Sequence, residues 1–295
     1  MTRMVALASL TVALALLAFG RPAVVKALAA GARVYVSVAD NKGKPIAGLT
    51  AADFKIAIDD KEQEVLSAAP ATEPVDAVII TDRLGLDPAY SNFTVQHALS
   101  QFVKGIRTVP DSRIALTTFD GPVVRITGFN APATELNKAI GRLSTNAVES
   151  GLLNAVIDAC ELLRESKTDR KVIFAMFAAY RADTSNQWND KAVMTMWQSN
   201  ASLWALEVQS IGGVSGGNAG REEVAGLGSR MSGGMHVSVA SAVGLSNQAQ
   251  LMATLIAKQY VINYAPGTDP NTASRRKIAV NRNGARILFP TWVAR

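Results

Sequence analysis

The stretch Val75-Asp76-Ala77-Val78-Ile79-Ile80-Thr81-Asp82 decides the fold. Pro74 and Asp82 bound a short run rich in Val and Ile. A continuous apolar run of this length reads as a strand covered on both faces. A second such strand, Lys171–Phe177, lies about a hundred residues on. Arg113–Phe119 and Leu203–Val208 read the same way. Helical spacing fills the gaps. Phe93, Leu99, Phe102, Val103 and Ile106 fall on one face of a helix. Leu152, Leu153, Val156, Cys160 and Leu163 fall on one face of another. Thr134–Leu143, Trp188–Trp197, Glu222–Met231 and Leu245–Ile256 also read as helices. Strands alternating with helices predict βαβ units in a mainly parallel sheet flanked by helices. Val123–Thr127, after Asp120-Gly121-Pro122, adds a hairpin.

Both flanks of this body are β-rich. Val34–Val38, Phe54–Ile58 and Glu64–Leu66 are separated by turn chemistry at Asp40–Pro45 and Asp59–Lys61, which predicts a small antiparallel unit. Ala68–Pro74 reads as a linker. Tyr260–Tyr264 is a strand, and Lys277–Val280 with Arg286–Phe289 flank a turn signal at Asn281–Gly284. The predicted organisation is a leader at 1–30, an N-terminal β unit at 31–72, an α/β domain at 73–258, and a C-terminal β segment at 259–295 packing on the N-terminal unit. Two small β segments cannot bury a face alone, and the chain's ends flank one domain.

Composition narrows the function classes. The 295 residues are 48% hydrophobic and 18% charged, which excludes a disordered chain. One Cys and two His exclude an internal disulfide and a histidine- or cysteine-rich metal cage. The net charge of +6 is uneven. Residues 1–26 carry +3, residues 258–295 carry +6, and the body between them is slightly acidic at −3. No aromatic interleaving accompanies the basic C-terminal segment, so nucleic acid is not an expected partner. Arg3, the apolar run Val5–Phe19 and the small residues Ala27-Leu28-Ala29 form a secretory signal peptide pattern. Cleavage near Ala29 or Ala30 would export the chain to the periplasm, the envelope or the medium. Left uncleaved, the same segment would be its one link to a membrane.

A family resemblance rests on motifs in order along the chain. Val36-Ser37-Val38-Ala39-Asp40, Gly43-Lys44-Pro45-Ile46-Ala47-Gly48-Leu49 and Asp53-Phe54-Lys55 resemble the leader of bacterial secreted von Willebrand factor A (vWFA)-related proteins. Ala77–Asp82, Arg113–Phe119 and Lys171–Phe174 are similar to that family's strands. Gln259–Tyr264 and Arg275–Val280 are similar to its closing β segment. The resemblance covers about residues 33–290 and implies a Rossmann-like α/β fold and a protein-binding role. It also implies a metal-ion-dependent adhesion site (MIDAS) built on D-x-S-x-S, a Thr on a second loop, and an Asp after the fourth strand. Here the first motif reads Asp82-Arg83-Leu84-Gly85-Leu86, and Ala178 stands about where the later Asp belongs. Ser150 or Thr145 could stand for the Thr. One carboxylate and one hydroxyl are too few for a hard cation that wants about six oxygens. The expectation is a degenerate site with no cofactor and no metal, leaving Asp82 and Ser150 as vestiges. Asp87 or Asp183 could restore a ligand from a loop.

Other chemistry is weaker. Gly213-Val214-Ser215-Gly216-Gly217 matches a nucleophile elbow, with His236 downstream and Glu222 and Glu223 between. Five Gly in the nine residues Gly212–Gly220 make that match easy by chance. No P-loop exists, and Gly226–Met231 fails the dinucleotide fingerprint. Cys160 reads as a buried thiol, and His97 and His236 read as structural. No catalytic residue is assigned, so the chain is not expected to be an enzyme. The expected function is binding of an unidentified extracytoplasmic protein at the carboxyl edge of the sheet, through Asp82, Arg83, Leu84, Leu86, Ser150, Tyr180 and Trp188. The alternatives are a scaffold component of an envelope complex and a vWFA domain that still holds a divalent cation through Asp82. A solvent-facing Trp188 favours a binding surface; burial of both Trp188 and Trp197 favours the scaffold.

Overall fold

The computed structural model describes residues 31–82, 91–144, 150–179, 183–209, 219–265 and 274–293. The N-terminal part holds β1 (Ala32–Ala39), a 3-10 turn (Ala51–Asp53), β2 (Phe54–Ile58), β3 (Lys61–Gln63) and β4 (Val65–Pro70). The α/β body follows with β5 (Val75–Thr81), α1 (Asn92–Ile106), β6 (Arg113–Thr118), β7 (Val124–Thr127), α2 (Ala133–Gly141), α3 (Leu152–Arg164), β8 (Arg170–Ala178), α4 (Asn189–Ser199) and β9 (Ala201–Val208). It continues with α5 (Ala219–Glu223), one π-helical turn (Val224–Gly228), α6 (Ser229–Met231), β10 (Met235–Val239) and α7 (Ala242–Ala257). β11 (Tyr260–Tyr264), β12 (Arg276–Val280) and β13 (Arg286–Leu288) close the chain.

The central sheet runs β10-β9-β8-β5-β6-β7. All its pairings are parallel except β6–β7 at the edge. This is the mainly parallel, helix-flanked sheet that the alternating pattern predicts. β5 is buried along its whole length. Ala77 and Ile79 pack into one core with α1, α2 and α7, while Val78 and Ile80 pack into another with α3 and α4. Strand alternation thus distributes one apolar run between two cores. Phe102 of α1 stacks on Phe174 of β8 with centroids 4.0 Å apart. The exception within the run is Asp76, which is buried and takes a bidentate pair from Arg113 on the neighbouring strand and a hydrogen bond from Ser166.

A third core lies between two smaller sheets, β13-β1-β11-β4 and β12-β2-β3. Val34, Val36 and Val38 meet Tyr260 and Ile262 there, together with Phe54, Ile56 and Ile278 from the second sheet. The first and last strands of the described chain therefore share one core.

Several local readings need correction. Ala68–Pro70 is strand, not linker, because its backbone pairs with β11. β12 and β13 do not form a hairpin. β12 pairs with β2 and β13 with β1, so each buries its apolar residues in a different sheet. The turn between them is held by Asp53, whose carbonyl accepts from Asn281 N at 2.7 Å and whose carboxylate pairs with Arg282 at 3.1 Å. Phe93 does not share the buried face of α1; it is 74% exposed and stacks on exposed His97. The helix read as Trp188–Trp197 starts after Trp188, and the one read as Glu222–Met231 starts at Ala219 and contains the π turn. Among the described residues no helix is long and apolar enough to cross a membrane.

Gly105 of α1 packs so closely on α7 that a Cβ there would sit 2.5 Å from Ala253 Cβ. Gly105→Ala should therefore destabilise the protein by about 1–3 kcal/mol, the overpacking outweighing the gain in helix propensity. Adding Ala253→Gly should recover part of that loss in urea unfolding.

Candidate functional site

The carboxyl ends of the parallel strands form the crevice in which such sheets place ligands. Asp82 follows β5 at the centre of this edge and is fully buried. Its Oδ2 accepts a hydrogen bond from Ser150 Oγ at 3.2 Å and from Ala178 N at 3.1 Å. The guanidinium of Arg221, also buried, stands 3.8 Å from the same oxygen. Arg221 Nη2 donates to Ala178 O at 2.7 Å, and its guanidinium lies 4.6 Å from the centroid of the Phe177 ring. Ala178 thus serves the centre with backbone alone: its N–H goes to the carboxylate and its C=O to the arginine. A buried carboxylate needs such partners, because desolvation penalises its charged form. Arg221 sits on α5 just before the π turn, an irregularity that recurs at functional sites.

Ser150 is fixed from the α3 side. α3 starts at Leu152 after Gly151, which has no side chain to cap it. Asp183 and Ser185, remote in sequence, do that work. Asp183 accepts from Leu152 N at 3.0 Å and Ser185 Oγ accepts from Asn154 N at 3.1 Å. Thr184 donates its N–H and its hydroxyl to Ser150 O. These bonds satisfy helix N–H groups and set a carboxylate at the positive end of the dipole. Asp183, one of the two loop carboxylates that could have restored a ligand, accepts from the α3 terminus. The same segment leads to Trp188, which is 80% exposed, while Trp197 is half-buried.

Beside this centre, Glu207 of β9 receives His236 Nε2 at 2.9 Å and the Ser238 hydroxyl at 2.7 Å, both from β10. Burial works to raise the Glu207 carboxyl, but these two hydrogen bonds, with the nearby charges of His236 and Arg221, together hold the group below its ordinary 4.5. His236 also stacks on Phe177 at 6.5 Å. Its acidic partner is Glu207, not Glu222 or Glu223. Cys160 is fully buried, and burial pushes its thiol up to about 12, so it is no nucleophile. Among the described residues no three or more His, Cys, Asp or Glu side chains gather in a metal-binding group.

Of the residues expected at the edge, Asp82 and Ser150 meet in one hydrogen-bonded centre and Trp188 stands exposed on the same segment that caps α3. Arg83, Leu84, Leu86 and Tyr180 lie outside the described residues, as do Asp87, Thr145, the glycine-rich Gly212–Gly217 and residues 1–30. Arg221 and Glu207 were missed. Nothing in local sequence marks an Arg on a short helix as buried; only the pairing of distant strands brings it to Asp82.

The chain resembles solved structures at low sequence identity. A von Willebrand factor type A protein from Catenulispora acidiphila matches with a TM-score of 0.50 and 11% identity, over 88% of this chain and 72% of that one. Proximal thread matrix protein 1 from the mussel byssus, with a zinc-occupied MIDAS motif, matches with a TM-score of 0.51 and 13% identity over 68% of this chain. This chain has a vWA-like fold. It spans about half the length of the mussel protein. No protein-family model matches the sequence, and no curated protein matches it.

Two predictions follow from the geometry of this vWA-like edge. Arg221→Met should cost about 3 kcal/mol, since it removes the cation facing a buried carboxylate, and Asp82→Asn should restore part of that in a double-mutant cycle. The lowered Glu207 contributes stability above its ordinary value, and this is lost as pH falls through the lowered folded value. The stability gap between the native protein and Glu207→Gln should therefore be full at pH 7 and close in acid, as read by urea unfolding.

Proposed function

We propose that this chain is an exported, non-catalytic protein-binding module that engages its partner without a divalent cation. The observation that carries the reading is Trp188, 80% exposed at the rim of the vWA-like crevice. Aromatic side chains, Trp above all, anchor protein interfaces. Burial of both Trp188 and Trp197 would have favoured a scaffold with an idle edge, and Trp188 is not buried.

The centre beside it does not fit the metal that the family resemblance implies. Mg²⁺ wants about six oxygens. Around Asp82 the described residues offer one shared carboxylate and the Ser150 hydroxyl, with Ala178 supplying only backbone and Asp183 bound to α3. A guanidinium 3.8 Å from the carboxylate also repels a dication. Where the mussel protein's MIDAS motif is zinc-occupied, here Arg221 supplies the positive charge beside Asp82. The edge then keeps its geometry without an ion, and recognition falls to exposed groups such as Trp188. Export rests on the n-region, apolar run and small residues of the first 30 positions. The absence of catalysis rests on Ser238, whose hydroxyl donates to Glu207 and not to the histidine that would have to activate it, and on the inert Cys160.

Thermal unfolding with Mg²⁺, Mn²⁺ and Ca²⁺ should show no shift beyond that of matched ionic strength. A native-state ligand at a hundredfold excess over its Kd would add about 2.7 kcal/mol. A shift abolished by Asp82→Ala would overturn metal independence. For the partner, a photo-crosslinking side chain at Trp188 should capture protein in cells, outside the cytoplasm. The same group at Leu66, exposed on β4 away from this edge, should not. Equal capture at both positions would sink the assignment of this edge.

A further inference from the structure

The opposite edge of the sheet carries a cavity. It has a volume of about 280 Å³ and lies where the amino ends of β8 and β9 face β1, the end of β11 and the start of β12. Its walls come from the α/β body and from the β unit together. They are held at close range: Gly233, with φ of +83°, lies where a Cβ would sit 2.5 Å from Pro290 N, and Thr291 N donates to Met231 O at 2.8 Å.

Two buried arginines line the cavity. Arg170 is 2% exposed and Arg276 is 5% exposed. Among the described residues neither has a carboxylate within 4.0 Å, unlike Arg113 or Arg221. Arg170 is positioned by neutral oxygens: its Nε donates to Gln259 Oε1 at 3.3 Å, Nη1 to Glu73 O at 2.6 Å and Nη2 to Ile256 O at 2.5 Å. Burial depresses it to about 10, against the opposing pull of Tyr35 and the Glu73 carboxylate. Arg276 donates Nη1 to Pro290 O and Nη2 to Tyr264 Oη, both at 3.1 Å. Its Nε is buried with no hydrogen-bond partner, while Tyr35 Oη in the same wall is tied to the Arg33 guanidinium. At the mouth, Arg33 pairs with Glu73 and Asp169 at 3.5 and 3.7 Å, so Glu73 divides its charge between Arg33 and the more distant Arg170.

An unpaired donor on a buried guanidinium is unfavourable, and buried charge without a counter-charge more so. We propose that this cavity binds a small oxyanion, a carboxylate or phosphate group, against Arg276 and Arg170. The Arg276 Nε–H is one prong of the fork that guanidinium presents to such groups. The volume lies at the lower end of the small-molecule range, so the ligand is a compact anion and not a peptide or nucleic acid. The site is separate from the Asp82 edge and stands or falls independently of it.

The test is calorimetric titration of the purified protein with sodium phosphate and with sodium acetate, against sodium chloride at equal ionic strength. Saturable heat is expected with phosphate or acetate and not with chloride, and the better of the two identifies the anion class. Arg276→Gln should weaken that binding at least tenfold, while Arg125→Gln, a surface change on β7, should leave it intact. Should Arg276→Gln fail to fold, Arg276→Lys keeps the charge but loses the Nε–H prong, and should also weaken binding at least tenfold. No saturable heat with either anion, or equal binding in native and Arg276→Lys protein, would overturn the proposal.

Discussion

The constraint behind this structure is that β5 must be buried on both faces. Seven consecutive residues exclude water, so helices must cover both sides of the sheet. α1 and α7 cover one and α3 and α4 the other. A strand so enclosed can leave its protein layer only at its ends. At one end stands Asp76, met by Arg113 and Ser166; at the other stands Asp82, met by Ser150, Ala178 N and Arg221. Each buried carboxylate is compensated by a cation from a neighbouring element, because the desolvation that β5 imposes leaves no cheaper arrangement.

Periodicity carries the reading of such a body a long way. The apolar runs at Val75–Thr81 and Lys171–Phe177 are buried parallel strands, and the residues spaced three and four apart in Leu152–Leu163 form the buried face of α3. Where the reading failed, pairing over long distance decided the outcome. Pro70 looked like linker chemistry, yet an edge strand tolerates it opposite Tyr260. Asn281–Gly284 carried a hairpin turn, yet β12 and β13 each found a different partner. Local turn chemistry sets a reversal of the chain; it does not set which strands then exchange hydrogen bonds.

The candidate centre was half legible for the same reason. Asp82 and Ser150 could be named because each lies at the end of an element that periodicity locates. Arg221 could not, because its burial depends on α5 and the π turn folding back over Phe177 and Ala178. Departure from a metal-ligand pattern predicts loss of oxygens; it does not predict what supplies the positive charge in their place.

Arginine plays two different parts at the two edges. Arg221 faces a carboxylate, so the pair is close to neutral and the centre is electrostatically closed. Arg170 and Arg276 are held mostly by carbonyl, amide and phenol oxygens, which orient a guanidinium without cancelling its charge. Their wall is also assembled from the two extremes of the described chain: β1 pairs with β11, and the segment after β13 meets the turn before β10. Such pairings between distant segments close the chain at an entropic cost. An anion held there would therefore stabilise the docking of the β unit on the α/β body as well as the two charges, since any ligand of the closed state favours closure.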